Sequence, residues 1–282
     1  MSLLVFSRPE DAETFDVGPP WFEAARRRAS PGLLEGLREL EPPAWLWLHL
    51  LGVAYKMPGA HRPARFLAHL AEYDPELLSF HLLGSYAGSS RIPPALLRQA
   101  RSGDASARIR LARLLFPHPG TDQAALSRLL ALSSDRLKSL TVDLLERWYS
   151  EVFRHEEREV GPVLASEARA KRVVGKTSPE RLVRFVTRGI DYLPEPAIQR
   201  ILLIPSVVVR PWVLMTRFSS TRVFCYPVED DAAINPDDPP ARLVRIHRAL
   251  AHEDRLRILR HLSRASMSAE DLSRELDQPL AR

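Results

Sequence analysis

The sequence is poor in cysteine and in long apolar runs. Cys225 is the single cysteine among 282 residues, which excludes an internal disulfide framework and a metal site built from several thiolates of one chain. We expect Cys225 to be a buried, unreactive thiol. The longest nearly uncharged apolar run covers residues 44–55, which is 12 residues with His49 in its middle, whereas a membrane-spanning helix needs about 20. The sequence therefore predicts no membrane span.

The opening residues also lack the pattern of a secretory leader. The first 13 residues have no basic segment before their short apolar run and turn acidic where a cleavage site would lie. Hydrophobic residues make up 45% of the chain and charged residues 27%, a balance typical of globular proteins that excludes intrinsic disorder. We therefore expect a globular, cytoplasmic protein.

The motifs of several common enzyme classes are incomplete. Residues 175–177, Gly-Lys-Thr, resemble the end of a phosphate-binding loop, but Ala170 occupies the position where that loop needs glycine. His155 and Glu156 are not followed by the second histidine of the H-E-x-x-H zinc motif. Ser85 misses the G-x-S-x-G nucleophile pattern by one residue. We predict that the chain is not an enzyme and holds no cofactor and no metal ion.

Apolar residues recur at spacings of three and four through most of the first 190 residues, which is typical of helices. Ile109, Leu111 and Leu114 form one such stripe. Asp74 and Ser178 each precede a proline and are placed to cap the first turn of a helix. The sequence therefore predicts many short helices that pack as an irregular bundle.

Two segments have the composition of strands. Residues 3–6 are a short apolar run in which we predict a strand. Residues 198–228 are dense in Val, Ile, Phe and Trp, with a turn at Ser219-Ser220. We predict a small antiparallel sheet there, with Pro205 and Pro211 at strand ends or on an edge because proline donates no ladder hydrogen bond. One face should pack on the helices through Trp212, Leu214, Val223 and Cys225.

An acidic, proline-rich segment separates this region from the last part of the chain. Residues 229–240 hold five acids and three prolines without apolar periodicity, which predicts a linker or loop. Beyond it we predict three helices and the start of a fourth. Ser268 and Asp271 fit a capping box that opens the third helix, and Pro279 would begin the fourth. The three apolar stripes are Leu243-Ile246-Leu250, Leu256-Leu259-Leu262 and Ala269-Leu272-Leu276.

These last residues resemble the opening of an ArsR-type winged helix-turn-helix regulator. In that family an L-x-x-x-x-R-L-x-I-L-x-x-L helix precedes an S-x-x-x-L-A-x-x-L helix. Ser273 departs from the pattern, since the family prefers alanine there. Residues 202–213 and 224–228 also resemble the sheet of a large N-terminal domain that precedes such modules in some bacterial regulators. The matching positions of the helical pattern are Leu250, Arg255, Leu256, Ile258, Leu259, Leu262, Ser268, Leu272 and Leu276.

The resemblance implies a fold class and a domain division. The fold is expected to be mainly α with a small antiparallel sheet. A helical regulatory domain, residues 1–236 with its sheet at 198–228, is followed by a partial winged helix-turn-helix at 237–282. Only residues 279–282 stand where a recognition helix and wing would follow. We expect the sequence to be part of a longer regulator; the alternative is a truncated regulator that keeps the scaffold and lacks base recognition.

The resemblance also implies double-stranded DNA as the partner, and a homodimer. The charge balance permits this, because 40 Lys and Arg residues against 35 Asp and Glu give a net charge of +5. Arginines recur at spacings of three and four over 242–248 and 257–264, so each set lines one helix face that can contact phosphates. We place Arg264, Ser268 and Arg282 at the DNA.

The residues leave a second interpretation open. In it the chain is a helical scaffold or a small-molecule-binding protein, and its terminal helices serve oligomerisation. His49, His69 and His81 lie near Trp45, Trp47, Tyr55 and Tyr73 on predicted helices, where ordinary core packing is the simpler interpretation and a ligand pocket the alternative.

Overall fold

The computed structural model describes residues 1–41, 43–59, 62–84, 93–116, 121–174, 178–229, 247 and 250–276. The chain divides into two compact units, residues 1–228 and residues 229–282. The boundary predicted at 236/237 lies outside the described residues.

The first unit is mainly helical and ends with a small sheet. Two short 3-10 helices, Pro9–Thr14 and Phe153–His155, connect its α-helices. The α-helices are α1 (Ser2–Phe6), α2 (Gly18–Arg28), α3 (Pro31–Leu40), α4 (Ala44–Lys56), α5 (Pro63–Glu72), α6 (Pro75–Gly84), α7 (Pro94–Arg101), α8 (Ala105–Leu115), α9 (Thr121–Ala131), α10 (Ser134–Glu151), α11 (Glu157–Val174) and α12 (Pro179–Val186).

Local capping residues start several of these helices. The carboxylate of Asp74 accepts a hydrogen bond of 2.7 Å from the backbone N–H of Leu77. The hydroxyl of Ser178 accepts one of 3.4 Å from Arg181 N–H. Both caps were predicted from the sequence. They satisfy donors that have no partner within the helix, and the proline at the first helical position removes another such donor.

The strand predicted at residues 3–6 is wrong, because these residues form the helix α1. The backbone N–H groups of Val5 and Ser7 donate to the carbonyls of Met1 and Leu3. An apolar run this short has no periodicity that separates a strand from a buried helix. The helix is buried on all sides, and the indole of Trp148 in α10 donates a 3.0 Å hydrogen bond to the hydroxyl of Ser2.

The sheet has three strands in the order β1-β3-β2, with β1 at Arg200–Ser206, β2 at Leu214–Phe218 and β3 at Thr221–Pro227. The sheet is mixed, so the prediction that all of its strands are antiparallel is wrong. The Ser219-Ser220 turn joins β2 and β3 into an antiparallel hairpin, but β1 pairs with β3 in parallel. The local turn signal predicts only the β2–β3 hairpin. The pairing of β1 with the other edge of β3 joins residues that are distant in sequence, so no local signal predicts it.

The sheet packs on the helical part of the unit, as predicted, but partly through other residues. Cys225 belongs to the core that it shares with the helices, and Ile204 and Leu214 are partly buried and pack against that core. Trp212 does not, since it precedes β2 and is 49% exposed. Pro205 lies in the edge strand β1, opposite Tyr226, and this confirms its expected edge position.

The central strand β3 is buried on both of its faces. Val223 and Cys225 alternate with Phe224 and Tyr226, and all four side chains are buried. The ring of Tyr192 contacts that of Phe224 edge to face, at 5.7 Å between centroids. A strand covered on both faces loses the apolar-polar alternation of a half-buried strand. The alternation predicted from the sequence therefore describes only one side of this sheet.

In the second unit the structure describes two helices. They are α13 (Glu253–Leu262) and α14 (Ala269–Leu276), joined by residues 263–268. Both were predicted, with their apolar stripes. The helix predicted around Leu243 and Ile246 and the fourth helix at Pro279 lie outside the described residues.

Candidate functional site

A capping box forms the junction between the two helices of the second unit. The Ser268 hydroxyl accepts a 3.1 Å hydrogen bond from Asp271 N–H and donates one of 2.8 Å to the Asp271 carboxylate. The same carboxylate accepts from Ser268 N–H at 3.2 Å. These hydrogen bonds lower the pKa of Asp271 below its ordinary value. The capping box confirms the start of α14 that the sequence predicts.

Three arginines lie along α13 and just beyond its end. Arg257 and Arg260, three residues apart, lie on one side of the helix, and Arg264 lies in the turn that follows it. Arg257 is held by two acids of its own helix, with guanidinium-carboxylate distances of 2.6 Å to Glu253 and 3.5 Å to Asp254. Among the described residues, no carboxylate forms an ion pair with Arg260 or Arg264, and both arginines are exposed. These two cations are therefore available to an anionic partner.

The leucines of α13 are open to solvent. Leu259 and Leu262 lie on the side away from Arg257, whereas Leu256 lies one turn before Arg260 on the same side. Leu256 is 47% exposed, Leu259 is 50% exposed and Leu262 is 42% exposed. By contrast, Leu272 and Leu276 of α14, which contacts α13, are half-buried. None of the residues described from 250 to 276 is fully buried. The apolar stripe that the sequence predicts on α13 thus exists as an exposed surface.

The predicted DNA-contacting residues have different outcomes in the structure. Arg264 follows directly on α13 and is exposed, and its N–H donates to the carbonyl of His261. Ser268 caps α14, four residues further on. The two therefore flank the same short connection. Arg282 and the arginines between 242 and 248 lie outside the described residues.

A pocket of about 240 Å³ opens in the first unit, between α1, α4, the start of α5 and α10. Its walls are almost entirely hydrocarbon. Arg62, at the position just before α5, carries the one charged side chain among the described lining residues. Of the residues that the sequence suggested for a ligand pocket, only Trp47 lines this one. The other lining residues come from separate helices, and no local sequence pattern brings them together. The described lining residues are Met1, Leu3, Trp47, Leu50, Leu51, Ala54, Met57, Arg62, Pro63, Phe66 and Leu145.

The histidines considered as pocket residues are packing residues. Nδ1–H of His49 donates a 2.7 Å hydrogen bond to the carbonyl of Leu82, and burial lowers the pKa of His49 to about 4. His81 contacts the ring of Phe218 at 4.8 Å, and burial lowers its pKa as well. His69 contacts Tyr73 edge to face. None of these histidines lines the pocket described above.

A second pocket, of about 310 Å³, lies between α12, β1 and residues 192–199. It carries charges of both signs, from Glu180, Glu195 and Arg200. Glu195 is already held by the guanidinium of Arg222, with a 2.9 Å hydrogen bond from Nε. This pocket therefore shows no preference for one ligand charge.

The described residues offer no cluster of three or more His, Cys, Asp or Glu side chains that would hold a metal ion. Within the same part of the chain, no helix combines the length and the apolar character that crossing a bilayer requires. Comparison with protein families, with curated proteins and with solved structures returns no match for this chain.

Proposed function

We propose that this chain belongs to a DNA-binding transcriptional regulator of ArsR type. The supporting observation is the arrangement of the second unit. Arg260 on α13 and Arg264 just after it are exposed and have no ion-pair partner among the described residues, and the chain then enters the capped helix α14. In the helix-turn-helix arrangement the helix at the position of α14 crosses the DNA backbone, and the next helix reads base edges in the major groove.

In this proposal Arg260 of α13 and Arg264 in the turn after it hold phosphates. Arg260 and Arg264 carry charge that no described carboxylate neutralises, whereas Arg257 is already paired within its helix. Contacts to phosphates supply most nonspecific affinity and orient the protein on the duplex. Ser268 lies four residues after Arg264, at the start of α14, and in this proposal it completes the contact region. Base recognition belongs to residues beyond α14.

The proposed regulator is a homodimer. Leu256, Leu259 and Leu262 form an exposed apolar stripe on α13, which starts beside Arg260 at Leu256 and turns away from the arginines at Leu259 and Leu262. A face of this kind is buried by association with a second copy, and the two-fold symmetry of such a dimer matches a palindromic operator. One face of α13 then serves association and the other serves DNA.

The test is binding to a duplex of about 25 base pairs, measured by fluorescence anisotropy at two salt concentrations. Each phosphate contact contributes about 0.9 to the slope of log affinity against log salt. Because the proposed regulator is a dimer, Arg260→Gln and Arg264→Gln each remove one contact from each copy and should reduce that slope by roughly twice this amount. The control is Arg110→Gln, since Arg110 is an exposed arginine of α8 in the other unit and its loss changes the net charge equally.

The control variant should bind as the parent chain does. If Arg110→Gln weakens binding as much as Arg264→Gln, the affinity reflects net charge, and α13 is not the interface. If the parent chain does not bind duplex DNA at low salt, the regulator proposal is wrong.

The second candidate function is a small-molecule-binding protein whose terminal helices serve oligomerisation. The apolar pocket of the first unit and the exposed leucines of α13 favour it. It predicts a dimer that does not bind DNA, and the same anisotropy experiment separates the two candidates.

A further inference from the structure

We propose that the pocket between α1, α4, α5 and α10 binds a small apolar molecule that carries a carboxylate. The proposal concerns the first unit alone and does not depend on DNA binding. It rests on the lining of the pocket, on the charge at its mouth and on its volume.

The walls of the pocket favour an apolar ligand. Trp47, Leu50 and Met57 are almost fully buried, so the inner wall is built from side chains fixed in the core. An ordered water molecule needs two to four polar partners, and this lining offers few. Displacing poorly held water by an apolar group is favourable. The tail of the ligand is therefore hydrocarbon.

The mouth of the pocket favours a negative charge. Arg62 is exposed, lines the pocket and forms no ion pair with any described residue. No acidic side chain is present among the described lining residues. The planar guanidinium matches the two oxygens of a carboxylate and cannot be deprotonated in the physiological pH range. A ligand with an amine in the same place would be repelled.

The volume limits the size of the ligand. At about 240 Å³, the pocket is smaller than the roughly 300–1,000 Å³ typical of drug-sized ligands. A medium-chain fatty acid or an aromatic carboxylic acid with one ring is the matching class. Octanoate is a suitable probe because 1-octanol and octylamine present the same tail with a neutral or a cationic head.

The experiment is isothermal titration calorimetry of the full chain with these three probes. Octanoate should bind with one site per chain, octanol more weakly and octylamine most weakly. Arg62→Gln should lower octanoate affinity by about fivefold and leave octanol affinity unchanged, since an exposed charge-assisted contact contributes about this much. Arg65→Gln, an exposed arginine of the same helix that is not among the described lining residues, is the matched control and should change neither.

Filling the pocket tests its location. Ala54 is a half-exposed lining residue, and Ala54→Phe places a ring where the ligand tail would lie. This variant should lose binding of both octanoate and octanol. If its circular dichroism shows that it has not folded, Leu51→Phe replaces it at the next lining position along α4. The proposal is overturned if octanoate does not saturate the parent chain, if a folded filled variant still binds it, or if Arg62→Gln and Arg65→Gln behave alike.

Discussion

The ring of Phe218 in β2 lies directly against the backbone of Gly52 in α4. A Cβ atom at position 52 would come within 1.9 Å of Phe218 Cδ2, a distance that no packed structure tolerates. Phe218 is 5% exposed, so its ring has little room to move away. The sheet therefore approaches the helices this closely because residue 52 has no side chain.

Gly52→Ala should destabilise the first unit. Alanine improves helix propensity by about 1 kcal/mol, but a new methyl group in this packed contact costs about 1–3 kcal/mol or more. We expect a net loss of stability, measured as a lower free energy of unfolding in urea.

Gly32→Ala provides the matched control for this substitution. Gly32 also lies in a helix, but a Cβ atom there would meet the far end of the Arg147 side chain at 2.9 Å and the Ser30 hydroxyl at 4.0 Å, and no backbone or aromatic ring. The variant should be as stable as the parent chain or slightly more stable. A Gly52→Ala protein as stable as Gly32→Ala would contradict the contact between β2 and α4.

Truncating Phe224 should cost far more stability than truncating Trp212. Phe224 is 1% exposed in the central strand, and removing such a ring typically costs about 3–5 kcal/mol. Trp212 is 49% exposed and is held by a 3.3 Å hydrogen bond from its indole to Thr14. Its loss should cost about 1 kcal/mol. Thermal unfolding of Phe224→Ala and Trp212→Ala measures the difference, and a reversed order would contradict the placement of Trp212.

His49 should make the protein less stable as the pH falls. Burial lowers the pKa of His49 to about 4, whereas the unfolded chain has a value of about 6.5. Between pH 4 and pH 6.5, His49 binds a proton in the unfolded chain but stays neutral in the folded chain. The contribution is therefore complete above pH 6.5 and is lost toward pH 4, by about 3 kcal/mol in all.

The test compares the free energy of unfolding of the parent chain and His49→Gln between pH 7.5 and pH 5. The variant should show a shallower fall. Some dependence should remain, since burial, with Lys56 nearby, also lowers the pKa of His81. Equal slopes for the two proteins would show that His49 is protonated with little penalty in the folded state.

Cys225 should resist thiol reagents until the protein unfolds. Its side chain is fully buried, and burial raises the pKa of the thiol to about 12. Because the thiolate is the reactive species, the native protein should react with a disulfide reagent at pH 8 only at the rate of unfolding. The same protein in guanidinium should react completely. Rapid labelling of the native chain would place the sheet at the surface.

Replacing Leu259 by Glu should produce monomers. Leu259 lies at the centre of the exposed apolar face of α13 and is 50% exposed, so the carboxylate itself is well tolerated in a monomer. It would be buried in the proposed dimer, where an unpaired charge is strongly unfavourable. Arg257→Glu introduces the same charge on the opposite face and should leave the dimer intact. Sedimentation velocity distinguishes the two, and a monomeric parent chain would remove the basis for the dimer.

Most of the correct helix predictions rest on signals between residues that are close in sequence. Asp74, Ser178 and Ser268 cap helices where the sequence places them, because each cap needs only residues three positions apart. The stripe over Ile109, Leu111 and Leu114 shows the limit of this reasoning. The helix is present, yet Leu111 is 1% exposed while Ile109 is 53% exposed and Leu114 is 48% exposed. Spacing predicts a helix, but the neighbouring elements determine which apolar residues are covered.

The sequence alone determined the helical character of most of the first unit, the caps at Asp74, Ser178 and Ser268, the hairpin turn and the two-helix pattern near the end of the chain. All of these depend on residues within a few positions of one another, whereas the short run that forms α1 carried no such signal. Tertiary structure decided the parallel pairing of β1 with β3, the contact of Phe218 with Gly52 and the pocket around Trp47 and Arg62. Each of these brings together residues from separate elements. Such contacts are selected by the fit of whole packed surfaces, and no short sequence pattern records that fit.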